Sequence, residues 1–344
     1  MELVLSHTTA LEFWRNQQHL PQRKTRQVKR IDGASARVRV ALPDQLASID
    51  HLLDSGLTLP IDILLSRSAV RQRTATVKWS EIQQESTQNT IQRSQIIRQH
   101  TFSGKVPPGS LVRTERGYLI SSPEFCFLQM ASSLSLIELI ELGYELCGSY
   151  ALPADNNKRQ SSDDAYDCQS LTKAQKIVNY LESFSGGTGH TKSVRASRYV
   201  LNGSASPMET KLTMLLALPH QLGGFGIPYP ILNAKLIPIR AAKQAANRIY
   251  YSCDLYWPEH KLAVEYDSKL FHTGLQRIAS DSQKRNALLA LGIKVITITS
   301  RQLLDKYEMD KVAHILATYM GKKLQLSRSK GFAKTHQALR DQLL

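Results

Sequence analysis

The sequence predicts an α/β protein in two parts: an N-terminal α+β region, then a C-terminal domain built as a mixed sheet flanked by helices. Three observations predict this. At about 150 residues per domain, a chain of 344 residues makes two domains, and an apolar share of 42% lets each bury a core. A polar stretch without apolar periodicity, Ala154 to Asp167, interrupts the chain near its middle. Beyond it the pattern runs helix, strand pair, helix, strand, helix, the order of a sheet layered with helices. The expected divisions are residues 1–152, a loop or linker over 153–170, and a second domain over 171–344. The polar stretch also fits an excursion within one domain.

In the first part, Ser6-His7-Thr8-Thr9-Ala10 opens a short helix to about Trp14, and 36–42 and 57–66 have strand-like apolar content. Ser122-Pro123-Glu124 starts a helix, with proline at its first position and an acid in its first turn. A second helix spans 136–146. In the second part, 171–184 is helical by pattern. The glycines of Gly186-Gly187-Thr188-Gly189 lack the Lys-Ser/Thr ending of a phosphate loop and read as a helix stop. Ser206-Pro207-Met208-Glu209 begins another helix, whose apolar face is Met208, Leu212, Leu215 and Leu216.

Charge narrows the function classes. Lys plus Arg is 44 against 29 Asp plus Glu, a formal net charge of +15 that attracts a polyanion. The excess is concentrated. Between Arg15 and Arg39 there are eight basic residues against the single acid Asp32, and Lys192 to Arg248 repeats that ratio with Glu209. Arg23, Lys24, Arg26, Lys29 and Arg30 in the first segment, and Lys192, Arg195 and Arg198 in the second, are the expected phosphate-backbone contacts. DNA is the expected partner and RNA the alternative. No apolar run reaches the roughly 18 residues of a membrane span. Met1-Glu2-Leu3-Val4 lacks a signal peptide's basic and apolar regions, so the expected location is cytoplasmic. None of Cys126, Cys147, Cys168 and Cys253 has zinc-site spacing.

The chemistry concentrates in 249–304. Tyr250 to Leu255 and Leu262 to Asp267 read as strands joined by the turn Trp257-Pro258-Glu259-His260. A turn symmetric about Glu259 and His260 sets Leu255 opposite Val264 and Asp254 opposite Glu265. Glu265 and Asp267 share a face by strand alternation, so three carboxylates are expected on one patch. Like charges placed opposite destabilise a sheet unless something compensates. A magnesium or manganese ion held by hard oxygen ligands would do so, and such sites act on phosphate esters. The competing reading is a solvated hairpin whose acids pair with Lys261, Lys269 and Arg285.

Phe271-His272, Asp281-x-x-x-Arg285, Leu288 and Leu291-Gly292-Ile293-Lys294-Val295 follow the hairpin in order. With Ser206-Pro207-x-Glu209, Asp254 and Leu262-Ala263-Val264-Glu265-Tyr266-Asp267, this stretch resembles the PD-(D/E)XK nuclease superfamily, closest to domains similar to very-short-patch-repair endonucleases. The resemblance covers Ser206 to Tyr307. It implies a restriction-endonuclease-like fold, with Asp254 and Glu265 as metal ligands beside the Tyr266 carbonyl and Glu209 as the acid on the leading helix. Ser206 to Glu209 equally fits a capping box. Two departures stand out: Asp267 occupies the place of the superfamily's usual lysine, and Ser268 that of a glycine common in the nearest subfamily. Without that lysine, Asp267 as ligand to a second metal or His272 as base would have to activate water. In the first half, Ser6-His7-Thr8-Thr9-Ala10 and Ile120-Ser121-Ser122-Pro123-Glu124 resemble AbiEi-type antitoxins, which implies a winged-helix DNA-binding part and a bacterial defence, phage-defence or mobile-element setting. The expectation is a magnesium-dependent DNA endonuclease. Its rival is a non-cleaving, antitoxin-like DNA-binding regulator.

Overall fold

The computed structural model describes residues 4–19, 28–30, 57–66, 97–102, 106–115, 117–153, 165–183, 186–237, 250–267, 275–324, 326 and 331–344. The chain is mixed α/β and forms two compact units, Met1–Val200 and Leu201–Leu344.

The first unit holds a six-stranded mixed sheet. Its strands are β1 (Val4–Leu5), β2 (Val28–Arg30), β3 (Ile61–Ser66), β4 (Ile97–Phe102), β5 (Leu111–Thr114) and β6 (Leu119–Ser121), in the order β2-β5-β6-β1-β3-β4. β1 runs parallel to β6, and β3 to β4. Helix α1 (His7–His19) runs further than the sequence expectation of Trp14. The Trp14 indole donates to the Ser121 carbonyl, and Arg15 makes a buried two-pronged bond with Glu145 at 2.8 Å. Helix α2 (Pro123–Met130) starts as expected, with Ser122 accepting from the Phe125 N–H, and every residue in it is buried. Helix α3 (Leu136–Cys147) starts on a capping box formed by Ser135 and Glu138.

The unit boundary falls at Val200, later than the sequence placed it. Strands β7 (Tyr150–Ala151) and β8 (Ala165–Tyr166) pair antiparallel, so the polar stretch between them is an excursion within the first unit. Helices α4 (Ala174–Glu182) and α5 (His190–Ser197) then pack on α2 and α3. They bury Ile177, Leu181 and Ala196, Tyr180 meets the Ser110 hydroxyl at 2.8 Å, and the Lys192 ammonium donates to the Leu134 carbonyl. These contacts assign 171–200 to the first core. The expected strand at 36–42 lies outside the described residues.

The second unit is a four-stranded mixed sheet flanked by helices. Helix α6 (Pro207–Ala217) leads to β9 (Ile231–Leu236), β10 (Tyr251–Trp257) and β11 (Leu262–Asp267). Helix α7 (Leu275–Ala290), β12 (Lys294–Thr299), α8 (Ser300–Leu304), α9 (Lys306–Tyr319) and α10 (Phe332–Leu343) follow. The strand order is β12-β11-β10-β9, with β11 and β12 parallel and the other pairs antiparallel. Between α6 and β9 the glycine-rich turn lets α10 dock closely. Gly223 adopts φ +90°, and a Cβ there would stand 2.4 Å from the Thr335 carbonyl oxygen. Among the described residues no helix is long and apolar enough to cross a membrane.

Candidate functional site

The hairpin forms where the sequence put it. Leu255 pairs with Val264 and Trp257 with Leu262, closed by a 3-10 turn at Pro258–His260 and a left-handed Lys261 at φ 45°. The ladder then stops. In place of an Asp254–Glu265 pair, the Asp254 carboxylate accepts the Tyr266 N–H at 2.7 Å.

The strands lose their regular pleat at this row. Tyr251 and Cys253 join the core under α7, with Ala263, Ala287, Leu288 and Ile293, and Tyr256 packs against the same cluster. Burial nonetheless alternates along β10, with Tyr251, Cys253, Leu255 and Trp257 buried. On the neighbouring strand Cys253 pairs with Ala234 and Leu255 with Leu232, which sets Asn233 opposite Asp254. Asn233 is left-handed, with φ 47°. Asparagine tolerates that conformation better than most residues, and such strained positions gather at functional sites.

Asn233 spends its amide on the next acid. Its Nδ2 donates to Glu209 Oε2 at 2.7 Å and to the Gly203 carbonyl at 2.9 Å. Glu209 also receives the Ala205 N–H at 3.0 Å and the Ser206 hydroxyl at 3.1 Å, while Ser206 caps α6 through the Glu209 N–H. The capping and site readings of Glu209 are therefore compatible: its backbone is capped while its carboxylate points to the sheet. Burial, then the charge of Asp254, raises its pKa.

Glu265 is bound by a residue that sequence reasoning missed. Lys284 of α7 donates to Glu265 Oε2 at 2.6 Å. Burial first, then Asp254, pushes the Glu265 carboxyl up to about 7, although Lys284 pulls the other way. Asp254 is raised as well, chiefly by burial. Glu265 Oε1 is buried and meets no N–H or O–H donor among the described residues, while the Cys253 thiol acts on the carboxylate as a weak donor. A signal for Lys284 exists in the sequence. It falls three and four residues before Ala287 and Leu288, which α7 must turn toward the sheet.

The acids that interact electrostatically are thus Glu209, Asp254 and Glu265, with Lys284 among them. Asp267, the expected third acid, ends β11 half-exposed and pairs in register with Thr299. Among the described residues no set of three or more His, Cys, Asp and Glu side chains is arranged to hold a metal ion. His272, Arg23, Lys24 and Arg26 lie outside the described residues. Lys29 and Arg30 pair with Arg113 and Val112 in the first sheet. Arg195 and Arg198 are exposed on the first unit, and Lys192 is half-buried. Arg285, considered above as a pairing partner for the acids, is exposed.

The first unit carries a second polar cluster. The His7 and His100 rings stack with centroids 3.5 Å apart, and His100 Nε2 meets Asp62 Oδ1 at 2.7 Å. Asp62 is buried, and its Oδ2 has no hydrogen-bond partner among the described residues. His7 opens α1 at φ 48°. Its N–H donates to Gln129 Oε1, and its Nδ1 meets the Ser6 hydroxyl. Burial, then His100, lowers the His7 pKa to about 4. Compared with family models, curated proteins and solved structures, the chain matches none.

Proposed function

We propose that the second unit is a restriction-endonuclease-like domain that hydrolyses DNA phosphodiester bonds with magnesium or manganese. The observation that carries this reading is the meeting of Glu209, Asp254 and Glu265 with Lys284 at the break in the sheet. A buried Glu209 and half-buried Asp254 and Glu265, all with raised pKa values, are costly to a fold, and Glu265 Oε1, which meets no N–H or O–H donor among the described residues, is a hard oxygen that suits a cation. No group of three donors is arranged for a metal among the described residues, but Asp254 and Glu265 would suit magnesium, which proteins commonly hold through one or two carboxylates together with substrate phosphate.

Asp254 and Glu265 would hold the ion, beside the Tyr266 carbonyl. When bound, the ion supplies positive charge to a phosphoryl group during hydrolysis. The protein's own groups have distinct parts. Tyr266 N–H fixes the Asp254 carboxylate, and Asn233 fixes that of Glu209. Lys284 brings an ammonium to the cluster, the charge that the nuclease resemblance implies at Asp267, and would present it to a phosphate oxygen. A second reading, a non-cleaving DNA-binding regulator, draws on the same ion pair, because Lys284 already neutralises Glu265.

The deciding experiment incubates the purified chain with plasmid, single-stranded DNA and RNA in magnesium, manganese or EDTA, alongside Glu265→Gln. The nuclease reading expects metal-dependent DNA cleavage that Glu265→Gln abolishes. DNA binding without cleavage in any metal would establish the regulator reading instead.

A further inference from the structure

Among the described residues, helix α9 presents an outer face that nothing covers. Asp305 caps it by accepting the Glu308 N–H, and its inner side buries Met309, Val312, Ala313, Leu316 and Ala317. A surface helix ordinarily turns polar residues outward. Here Tyr307 is 70% exposed, Ile315 48% and Tyr319 47%, with Leu304 at 56% just before the helix. Tyr307, Lys311, Ile315 and Tyr319 follow one another at intervals of four, so they form one slowly winding stripe.

The stripe is interleaved with cations. The Lys311 ammonium stands 4.4 Å from the Tyr307 ring centroid and also donates to Glu308 Oε1 at 2.8 Å, an exposed pair that a phosphate could displace. Lys294, arriving from β12, stands 4.3 Å from the Tyr319 ring. Arg301, Lys306, Lys322 and Lys323 are exposed nearby. We propose that this face docks a single-stranded polynucleotide, its bases stacking on Tyr307 and Tyr319 and its phosphates meeting the lysines.

Charge and shape select that occupant. The ligand must be anionic and must offer flat apolar faces, and an unpaired strand has both. A duplex keeps its base faces stacked inside, so exposed rings add little to holding one. An anionic membrane also attracts lysine. An interfacial helix, however, turns its broad apolar side to the lipid, and α9 spends that side inside its own unit.

The position suits the proposed nuclease site, on which the choice of polymer rests. Tyr266, whose N–H holds Asp254, places its hydroxyl 3.0 Å from the hydroxyl of Ser300, the first residue of α8. The stripe begins just beyond α8. From Tyr307 to Tyr319 it runs about 18 Å at 1.5 Å per residue, long enough for several nucleotides of a strand leaving the carboxylates.

The test uses the full chain in EDTA, so that binding is read without cleavage. Fluorescent oligo-dT, a duplex of equal length, a uridine-rich RNA and vesicles of phosphatidylglycerol and phosphatidylcholine serve as probes. Tyr307→Ala/Tyr319→Ala should weaken oligo-dT binding about tenfold or more and duplex binding much less. Tyr307→Phe/Tyr319→Phe should keep the affinity. Lys294→Ala/Lys311→Ala should lower the slope of log affinity against log salt by about 0.7 per lost contact. An equal response of RNA would make the face a general single-strand surface, as proposed. Unchanged oligo-dT affinity in the alanine pair overturns the proposal, and so does loss of vesicle binding alone. These outcomes are separate from the nuclease reading, which fails if no metal supports cleavage even though oligo-dT binding depends on the tyrosines.

Discussion

Replacing Asp254 with asparagine tests the carboxylate cluster through stability, whether or not the enzyme turns over. Glu265 titrates near 7 instead of its ordinary 4.5. A folded-state acid raised in this way holds a proton that the unfolded chain has released. Stability is therefore present below the unfolded value and is lost as pH rises from 4.5 through 7. The whole rise is worth about 3 kcal/mol at 1.36 kcal/mol per pH unit. Burial is its largest cause and Asp254 the second, so Asp254→Asn should return a minor part, about 1 kcal/mol. Asparagine can still accept the Tyr266 N–H through its amide oxygen. In EDTA at pH 8 the variant should thus melt about 3–4 °C above the parent. Magnesium at 100 times its Kd should stabilise the parent by about 2.7 kcal/mol, and the variant should lose most of that gain. Differential scanning fluorimetry across pH 5–9, with and without magnesium, reads both effects. A variant that melts lower in EDTA yet responds fully to magnesium would show that Asp254 is only a hydrogen-bonding strand residue, and the metal assignment would fall.

Other perturbations separate the remaining roles. Lys284→Met should reduce cleavage by about 10²-fold or more and move the Glu265 titration above 7, because its cation partner is gone; NMR titration of Glu265 checks the second effect, and an unmoved curve would remove Lys284 from the site. His7, lowered to about 4, binds its proton more weakly folded than unfolded, so stability should fall as pH drops from 6.5 toward 4, by up to about 3 kcal/mol. His7→Asn, which tolerates the left-handed backbone, should flatten the pH dependence of first-unit melting; equal acid sensitivity would place the titration elsewhere. Replacing Arg23, Lys24, Arg26, Lys29 and Arg30 with neutral residues should lower the duplex-DNA salt slope by up to about 0.9 per lost contact, and an unchanged slope would show that the segment does not touch the backbone.

Much of the second unit was legible because its signals are local. Turn residues and alternating apolar positions set the hairpin, and the register near the turn, Leu255 opposite Val264, follows from counting outward from Glu259 and His260. The same counting fails one residue later. An ideal ladder carries Asp254 to Glu265, but the backbone departs from the pleat there, and strand alternation cannot foresee a left-handed Asn233 on the adjacent strand. Lys284 was hidden for a different reason. The nuclease resemblance implies a lysine within the hairpin, whereas the one that reaches Glu265 comes from a helix, and its contact depends on which face of that helix packs inward. The domain boundary was displaced because a polar stretch reads the same whether it joins two cores or loops out of one. The pairing of Tyr150 with Tyr166 across it, and the packing of the following helices on the first core, distinguish the two cases.

The break in the sheet explains how the second unit accommodates its acids. In a continuous ladder Asp254 would oppose Glu265 with no polar group to relieve it, since strand N–H groups would all be spent on neighbouring strands. Interrupting the ladder frees the Tyr266 N–H, which Asp254 takes. Turning Asn233 left-handed brings a side-chain donor to the buried Glu209, which otherwise adds an unrelieved negative charge near Asp254. Lys284 answers Glu265 on one oxygen, and the other meets only the weakly donating Cys253 thiol beside it. Each device relieves one carboxylate only in part, because all three pKa values stay raised. A structural cluster would be expected to satisfy its charges fully or replace them with apolar side chains, which often cost nothing in stability. Burial is the largest cause of all three raised values, and under the proposed metal-dependent reading a cation would offset that cost, which is the physical ground for proposing a role for these acids beyond the fold.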